Sequence, residues 1–318
     1  IAERRLPQDG RIKLKISGKE VDLRVSTVPT LHGESVVMRI LDKQTLNLNL
    51  EDIGLSGKVL ADLKSVLARP NGIFLVTGPT GSGKTTTLYA VLSRMNTPER
   101  KIMTVEDPVE YQIAGVNQIQ AAPKIGLDFA NALRSIVRQD PDVIMIGEMR
   151  DRETAGIAIQ SALTGHIVFS TLHTNDSASG VTRLLDMGLE DYLLTSTVNA
   201  IMAQRLVRVL CPACRRESEL TDEEVQHMGI AALVGRAGSR HVWRATGCEA
   251  CARTGYRGRM GVHELLLVDD SIRHLILEHA SAEADFGTKI GFDCTVKLPE
   301  EGMLRAFDAD RLREWIHG

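Results

Sequence analysis

Between residues 11 and 41, apolar and polar positions alternate in three short runs, RIKLKISG, VDLRVSTV and SVVMRIL, broken at Gly18-Lys19 and over 29–33. A period of two with turn residues between the runs predicts strands, here a small antiparallel unit. Residues 44–57 turn polar, repeat Leu-Asn and end on Gly54 and Gly57, which reads as a linker. Over 58–68 the spacing becomes helical, with Leu60, Leu63 and Leu67 on one face and Pro70 as the stop.

From Gly72 onward, short apolar runs alternate with amphipathic stretches: GIFLV, a helix opening at Lys84, KIMTV, a helix opening at Asp128, DVIMI, a helix over 153–163, then HIVFSTL. This alternation predicts an α/β fold with a parallel sheet covered on both faces, because parallel crossovers carry helices and continuously apolar strands need cover on two sides. After Leu210 come two cysteine pairs, an acidic stretch over 217–224 and the Gly/Arg-rich GYRGRMG. The chain therefore divides into a small unit at 1–43, a linker at 44–57, an α/β core at 58–208, a tetracysteine subdomain at 209–258 and a C-terminal helical region at 259–318.

With 38 Lys and Arg against 41 Asp and Glu, the net charge of −3 gives no general attraction to nucleic acid or an anionic membrane, and 4% aromatics leaves little for stacking bases. No nucleic-acid partner is expected. The longest stretch without acids, Lys or Arg, 154–175, is interrupted by Gln160, Gly165, His166 and His173, so no transmembrane segment is expected. The chain opens on Ile with no leader pattern behind it, which reads as a fragment or processed chain without a secretory signal. Four of the five cysteines fall into the pairs Cys211/Cys214 and Cys248/Cys251, with Cys294 apart, a usage that suits the reducing cytoplasm.

The sharpest chemical signal is GPTGSGKT, that is Gly78, Pro79, Thr80, Gly81, Ser82, Gly83, Lys84 and Thr85, followed by Thr86. It fits GxxxxGK[ST] and lies between an apolar strand and a helix, the context that makes the pattern a phosphate loop. Its glycines let backbone N–H groups converge on phosphates, the helix start adds a positive dipole end, Lys84 reaches the outer phosphates of ATP, and Thr85 ligates Mg2+. TVEDPVEY sets Glu106, Asp107 and Glu110 at the carboxyl end of a strand, where ligands of open α/β sheets bind, although loop carboxylates are otherwise solvated charge. DPDVIMIGEMRD ends a strand on Gly147-Glu148, placing Glu148 to polarise water or hold magnesium through water, with a plain ion pair as the alternative.

Arg134 and Arg138 lie i, i+4 on one face of a helix whose other face carries Ala130, Leu133 and Val137. They are either solvated or offered to a neighbour's phosphates in a ring. His166 opens the strand HIVFSTL and His173 closes it. His173 is placed to sense a γ-phosphate, and the two lie too far apart to share a metal. CPAC and CEAC supply four thiolates with the knuckle spacing of a tetrahedral Zn2+ site. A redox pair competes, but no thioredoxin-like βαβ unit surrounds them. The zinc unit is expected to be structural or to contact protein.

In order, GPTGSGKTTTLYA, TVEDPVEY, LRSIVRQDPDVIMIGEMRD, TGHIVFSTLHTND and AQRLVRVLCPACR closely resemble the type II secretion ATPases, the E proteins of the general secretion pathway, near relatives of the type IV pilus assembly ATPases. The resemblance covers roughly residues 1–280. It implies a RecA-like P-loop core with a small N-terminal α+β, PAS-like domain. It also implies a Walker A motif with Lys84 and Thr85, an Asp box with Glu106 and Glu110, a Walker B motif with Glu148 and a His box with His166 and His173. Gly147 stands where other P-loop enzymes have Asp, as it does in the family. RLPQDGRIKLKI and VDLRVSTVPTLHGESVVMRIL resemble the family's second N-terminal domain, whose arginines reach the nucleotide; the match adds Arg24 and Arg39 to Arg134 and Arg138, with Arg150, Arg183 and Arg259 as lesser candidates.

The implied protein is a cytoplasmic homo-hexameric ATPase using ATP, Mg2+ and Zn2+ to power pseudopilus assembly and protein export. It sits peripherally at the inner membrane through platform and membrane-anchored docking proteins. By the same resemblance, the family's first N-terminal domain, which makes the docking contact, is expected to be absent from residues 1–318, and beyond about Ala284 the tail departs from the family pattern. TTTLYA, IMTVEDPVEYQ and LHTNDS favour the secretion branch over a pilus assembly motor. Intact Lys84 and Glu148 argue against a nucleotide-gated scaffold without turnover, and the charge balance and few aromatics argue against a helicase.

Overall fold

The computed structural model describes residues 3–279 apart from 17–18, 43–48, 56, 230, 232–233 and 235–239. Cys294, the atypical tail and its expected helix lie outside the described residues. The three alternating runs form strands β1 (Gln8–Ile16), β2 (Lys19–Thr30) and β3 (Gly33–Asp42), an antiparallel sheet in the order β1-β2-β3. Among the described residues of this unit no helix occurs. Its register sets Gly10, Val25 and Met38 in one row and Ile12, Leu23 and Ile40 in another, while Arg11, Arg24 and Arg39 form a row on the opposite face.

The rest of the chain is built on seven strands: β4 (Gly72–Thr77), β5 (Ile102–Glu106), β6 (Val116–Gln120), β7 (Val143–Ile146), β8 (Ile167–Leu172), β9 (Val198–Leu210) and β12 (Tyr256–Leu267). The intervening β10 (Arg216–Glu219) and β11 (His241–Arg244) form a separate two-stranded sheet. The large sheet runs β12-β9-β4-β8-β7-β5-β6, parallel throughout except for the antiparallel β12/β9 pair. Every residue of β4, β5 and β7 is buried, as parallel strands covered on both faces require.

Helices α1 (Gly57–Leu67) and α2 (Lys84–Met95) pack with Phe74 and Val76 on one face. The other face carries α3 (Phe129–Val137), α4 (Arg152–Leu163), α5 (Ser177–Asp186), α6 (Asp191–Thr197) and, after α7 (Asp222–His227) in the cysteine region, α8 (Asp270–Leu277), all packed with Ile73 and Leu75. Each of α3, α4, α5 and α8 opens on an aspartate, at 128, 151, 176 and 269, that accepts a backbone N–H of the first turn.

Three expected boundaries move. Residues 49–55 are no spacer: Leu50 and Leu55 are each 2% exposed and belong to the core beside α1, and the Gly261 N–H donates to the Ile53 carbonyl at 3.3 Å. The core does not end at 208, because β9 continues to Leu210. The region from 259 does not begin as helix: YRGRMG opens β12, whose pairing with β9 outweighs the low strand propensity of its glycines, and α8 starts only after Asp269.

Candidate functional site

The phosphate loop leaves the carboxyl end of β4 and enters α2. Gly78, Gly81 and Gly83 hold φ of 143°, 81° and 90°, conformations open to glycine, and Gly83 caps α2 with no side chain, so the first-turn N–H groups face the loop's hollow. A Cβ on Gly78 would stand 2.4 Å from the Gln204 carbonyl, whereas one on Gly81 would meet nothing within 4 Å. The loop is closed on its protein side and open where phosphates would lie. Lys84 Nζ donates to the carbonyls of Gly78 (2.8 Å) and Pro79 (3.1 Å), lying across the loop. Burial lowers its pKa, and the Glu148 charge counters that shift. Thr85, on the first turn of α2, is exposed and suitably placed to hold magnesium.

Beside this loop, β7 is followed directly by Gly147 and Glu148. The carboxylate, 13% exposed, is bracketed by Arg150 at 2.5 Å on Oε1 and by His173 Nε2 at 3.4 Å on Oε2. Backbone and hydroxyl bonds fix these three strand ends together. Thr171 Oγ1 donates to the Gly147 carbonyl (2.7 Å), the Thr174 N–H donates to Thr77 Oγ1 (2.8 Å), and Thr77 Oγ1 donates to the Thr174 carbonyl (3.1 Å). Lys84, Glu148 and His173 thus converge at the carboxyl ends of β4, β7 and β8, the crevice where open α/β sheets bind ligands.

Glu106 is turned elsewhere. It is 3% exposed, and its oxygens accept from Tyr89 (2.5 Å), Thr104 (2.6 Å) and Gln118 (3.1 Å). The Tyr89 hydroxyl also accepts the N–H groups of Glu110 (3.3 Å) and Tyr111 (3.5 Å), so Glu110 is joined to the same network through its backbone. Burial raises the Glu106 pKa, while the three donors pull it back. A raised folded-state value means this carboxyl favours folding most when protonated, and that contribution fades as pH rises through the raised value. Above that window the charged carboxylate needs its donors. Tyr89→Phe is therefore expected to cost about 1–3 kcal/mol of unfolding free energy at pH 8 and less near pH 4, measured by urea denaturation. Equal losses at both pH values would show that the bond to the charged form is not what Tyr89 supplies.

Other expected residues are not brought to the crevice within one chain. His166 sits at the opposite end of β8 from His173, with Nδ1 at 2.8 Å from the Ser161 carbonyl; a six-residue strand separates the two rings. Arg134 forms an ion pair with Glu153 across α3 and α4, and Arg138 ends α3 and donates to Ser135 (3.4 Å). Arg24 and Arg39 face each other directly across β2 and β3, and Arg11, in the same row, donates to Gln120 at the end of β6 (2.8 Å). Arg150, a lesser candidate in the sequence, proves to be the partner of Glu148. Gln204 and Arg11 were not singled out at all; the alternation of β1 could have placed Arg11 with Arg24 and Arg39, but Gln204 lies in no local chemical pattern.

The four cysteines converge. Their sulfurs all lie within 4.8 Å of one another, with Cys211–Cys248 and Cys214–Cys251 at 3.9 Å and Cys248–Cys251 at 3.8 Å. A zinc with sulfur ligands at about 2.3 Å needs edges of about 3.8 Å, and a disulfide needs about 2.05 Å, so the set fits a tetrahedral ion and not a pair of disulfides. The N–H groups of Cys248 and Gly255 donate to Cys251 Sγ at 3.2 Å, stabilising a thiolate there. Chain purified without chelator is expected to carry close to one zinc, and Cys211→Ser to lower both metal content and protease resistance of residues 209–258. A metal-free protein whose thiols titrate as disulfides would overturn the zinc assignment.

A family model described as "Type II/IV secretion system protein" matches residues 1–290. The chain belongs to this family. It is 61% identical over 280 residues to the type II secretion system protein E of Xanthomonas campestris pv. campestris, covering 88% of this chain and 49% of that protein. It is 52% identical over 284 residues to the type II secretion system ATPase E of Vibrio cholerae, covering 89% and 56% respectively. The chain thus spans about half the length of these curated relatives. Among solved structures, the pilus retraction motor PilT with bound ADP matches with a TM-score of 0.61 at 29% identity, over 86% of this chain and 67% of that one. The ATPase DotB of Legionella pneumophila shares the fold, with a TM-score of 0.60 at 23% identity over 86% of this chain and 65% of that one.

Proposed function

We propose that this chain is the nucleotide-hydrolysing part of a type II secretion motor, a homo-hexameric ring ATPase that converts turnover into domain motion and so drives pseudopilus assembly and protein export. The observation that carries this reading is the convergence of Lys84, Glu148 and His173 on a glycine-lined hollow ringed by backbone N–H groups. In it the loop and Lys84 hold the phosphates of ATP, Glu148 orients and deprotonates the attacking water, and His173 stands where it can meet the γ-phosphate while touching Glu148. Thr85 would hold Mg2+, which supplies positive charge to the phosphates when bound. Glu106 supports this crevice from behind through Tyr89 and Thr104, with Glu110 joined to it, and does not act on water.

The core is read as RecA-like and the first sheet as the strand layer of a PAS-like domain, whose Arg24 and Arg39, with Arg134 and Arg138, serve a nucleotide across the ring. Zn2+ on the four cysteines is structural. Contact with the inner membrane is made through platform and docking proteins; among the described residues no helix is long and apolar enough to cross a membrane. The secretion reading is preferred to pilus assembly because the relatives at 61% and 52% identity are secretion proteins, against 29% for the pilus motor. The test is phosphate release from Mg-ATP by the folded chain. No release above the level of Lys84→Ala under conditions that favour rings would remove the reading.

A further inference from the structure

The phosphate loop is tied down by a residue of β9, two strands away in the order of the sheet from any motif that bears on phosphate chemistry except the loop's own strand. Gln204 is 2% exposed. Its Nε2 donates to the Ser82 carbonyl at 2.6 Å, and its Oε1 accepts from the Thr87 hydroxyl at 2.8 Å. Its own carbonyl is the group that a Cβ on Gly78 would meet, and its Nε2 lies 3.1 Å from where a Cβ on Gly83 would stand. One residue therefore touches the beginning of the loop, its end and the first turn of α2.

This position has no packing reason to be an amide. Along β9, Met202, Gln204 and Leu206 share one face by the period of two, and the flanking apolar residues show what the site would ordinarily hold. A buried amide there is tolerated only because both of its ends are bonded. Those bonds restrain a loop with three glycines at positive φ, the residue type that loses most freedom on ordering. A loop ordered beforehand spares the ligand that cost.

We propose that Gln204 is a positioning residue for nucleotide binding, holding the phosphate loop in its converged shape before the nucleotide arrives. The inference rests on the ATPase reading above. Gln204→Met keeps the length and removes both hydrogen bonds, and Thr87→Val removes one of them at nearly constant shape.

Expected for Gln204→Met is about tenfold weaker binding of a fluorescent ADP analogue and a matching rise in KM for ATP, with kcat at saturation within about twofold because bound nucleotide then orders the loop. Thr87→Val should weaken binding several-fold, and the double variant should fall short of the product of the two losses, since both cut the same tie. A merely structural glutamine would instead lower the melting temperature and leave ADP affinity and KM of the folded protein unchanged; that result overturns the proposal. Should Gln204→Met fail to fold, Thr87→Val decides alone, and unchanged affinity in it overturns the proposal. An unaltered chain that binds no nucleotide would remove the ATPase reading and this inference with it, whereas binding by the unaltered chain with equal binding by both variants removes only the inference.

Discussion

Glu148→Gln is expected to bind ATP about as tightly as the unaltered chain and to hydrolyse it about 10²–10⁴-fold more slowly. The substitution keeps the shape of the side chain and its place at the end of β7, but an amide cannot take a proton from water. It also removes the charge that Arg150 and His173 now bracket, at 2.5 Å and 3.4 Å. Lys84→Ala should fail differently. The ammonium lies on the Gly78 and Pro79 carbonyls, and without it affinity and turnover are lost together. Equilibrium binding beside single-turnover hydrolysis separates the two. If Glu148→Gln loses ATP affinity as Lys84→Ala does, Glu148 serves to hold the crevice together rather than to act on water.

The second large effect concerns assembly. Arg11, Arg24 and Arg39 stand opposite one another across three strands, and like charges so placed are unfavourable unless an anion meets them. Charges of this kind delivered to a phosphate are worth about 10³–10⁵ in rate. Specific activity is therefore expected to rise steeply with protein concentration as rings form, followed by light scattering. Arg24→Ala and Arg39→Ala should remove most of that rise without lowering the melting temperature. Full activity in a monomeric sample would mean that the crevice of one chain is complete, and the ring argument would fall.

Much of this site could be read from the sequence because its chemistry is local. GPTGSGKT carries the loop and the helix start within eight residues directly after an apolar run, and a residue one or two places beyond such a run, such as His173 or Glu148, must emerge at a strand end. The same reasoning misjudged Glu106: the last residue of β5 was expected at the crevice, but Tyr89 and Gln118, 17 and 12 residues away, draw it inward. Gln204 was invisible for a similar reason, since its partners Ser82 and Thr87 lie more than a hundred residues upstream. The segment at 49–55 looked like a linker because polar residues surround its leucines, although those leucines complete the core beneath α1. Periodicity reports what one element does with itself; pairing such as that of β12 with β9 is decided between elements.

The double edge of β9 has a consequence for how the chain opens. From Ala200 to Ala203 it is paired with β4 on one side and β12 on the other, but beyond Ala203 only the β12 pairing remains. Amide exchange should accordingly fall into two tiers, with the first part of β9 exposed only when the whole core unfolds and the second part sooner. The β10/β11 pair, resting on the small cluster of Leu220, Val225 and Val242, should exchange fastest once the thiolates are unligated. Fraying that begins at the cysteines would run along the β9/β12 ladder and halt at Ala203, the residue before the glutamine that holds the phosphate loop.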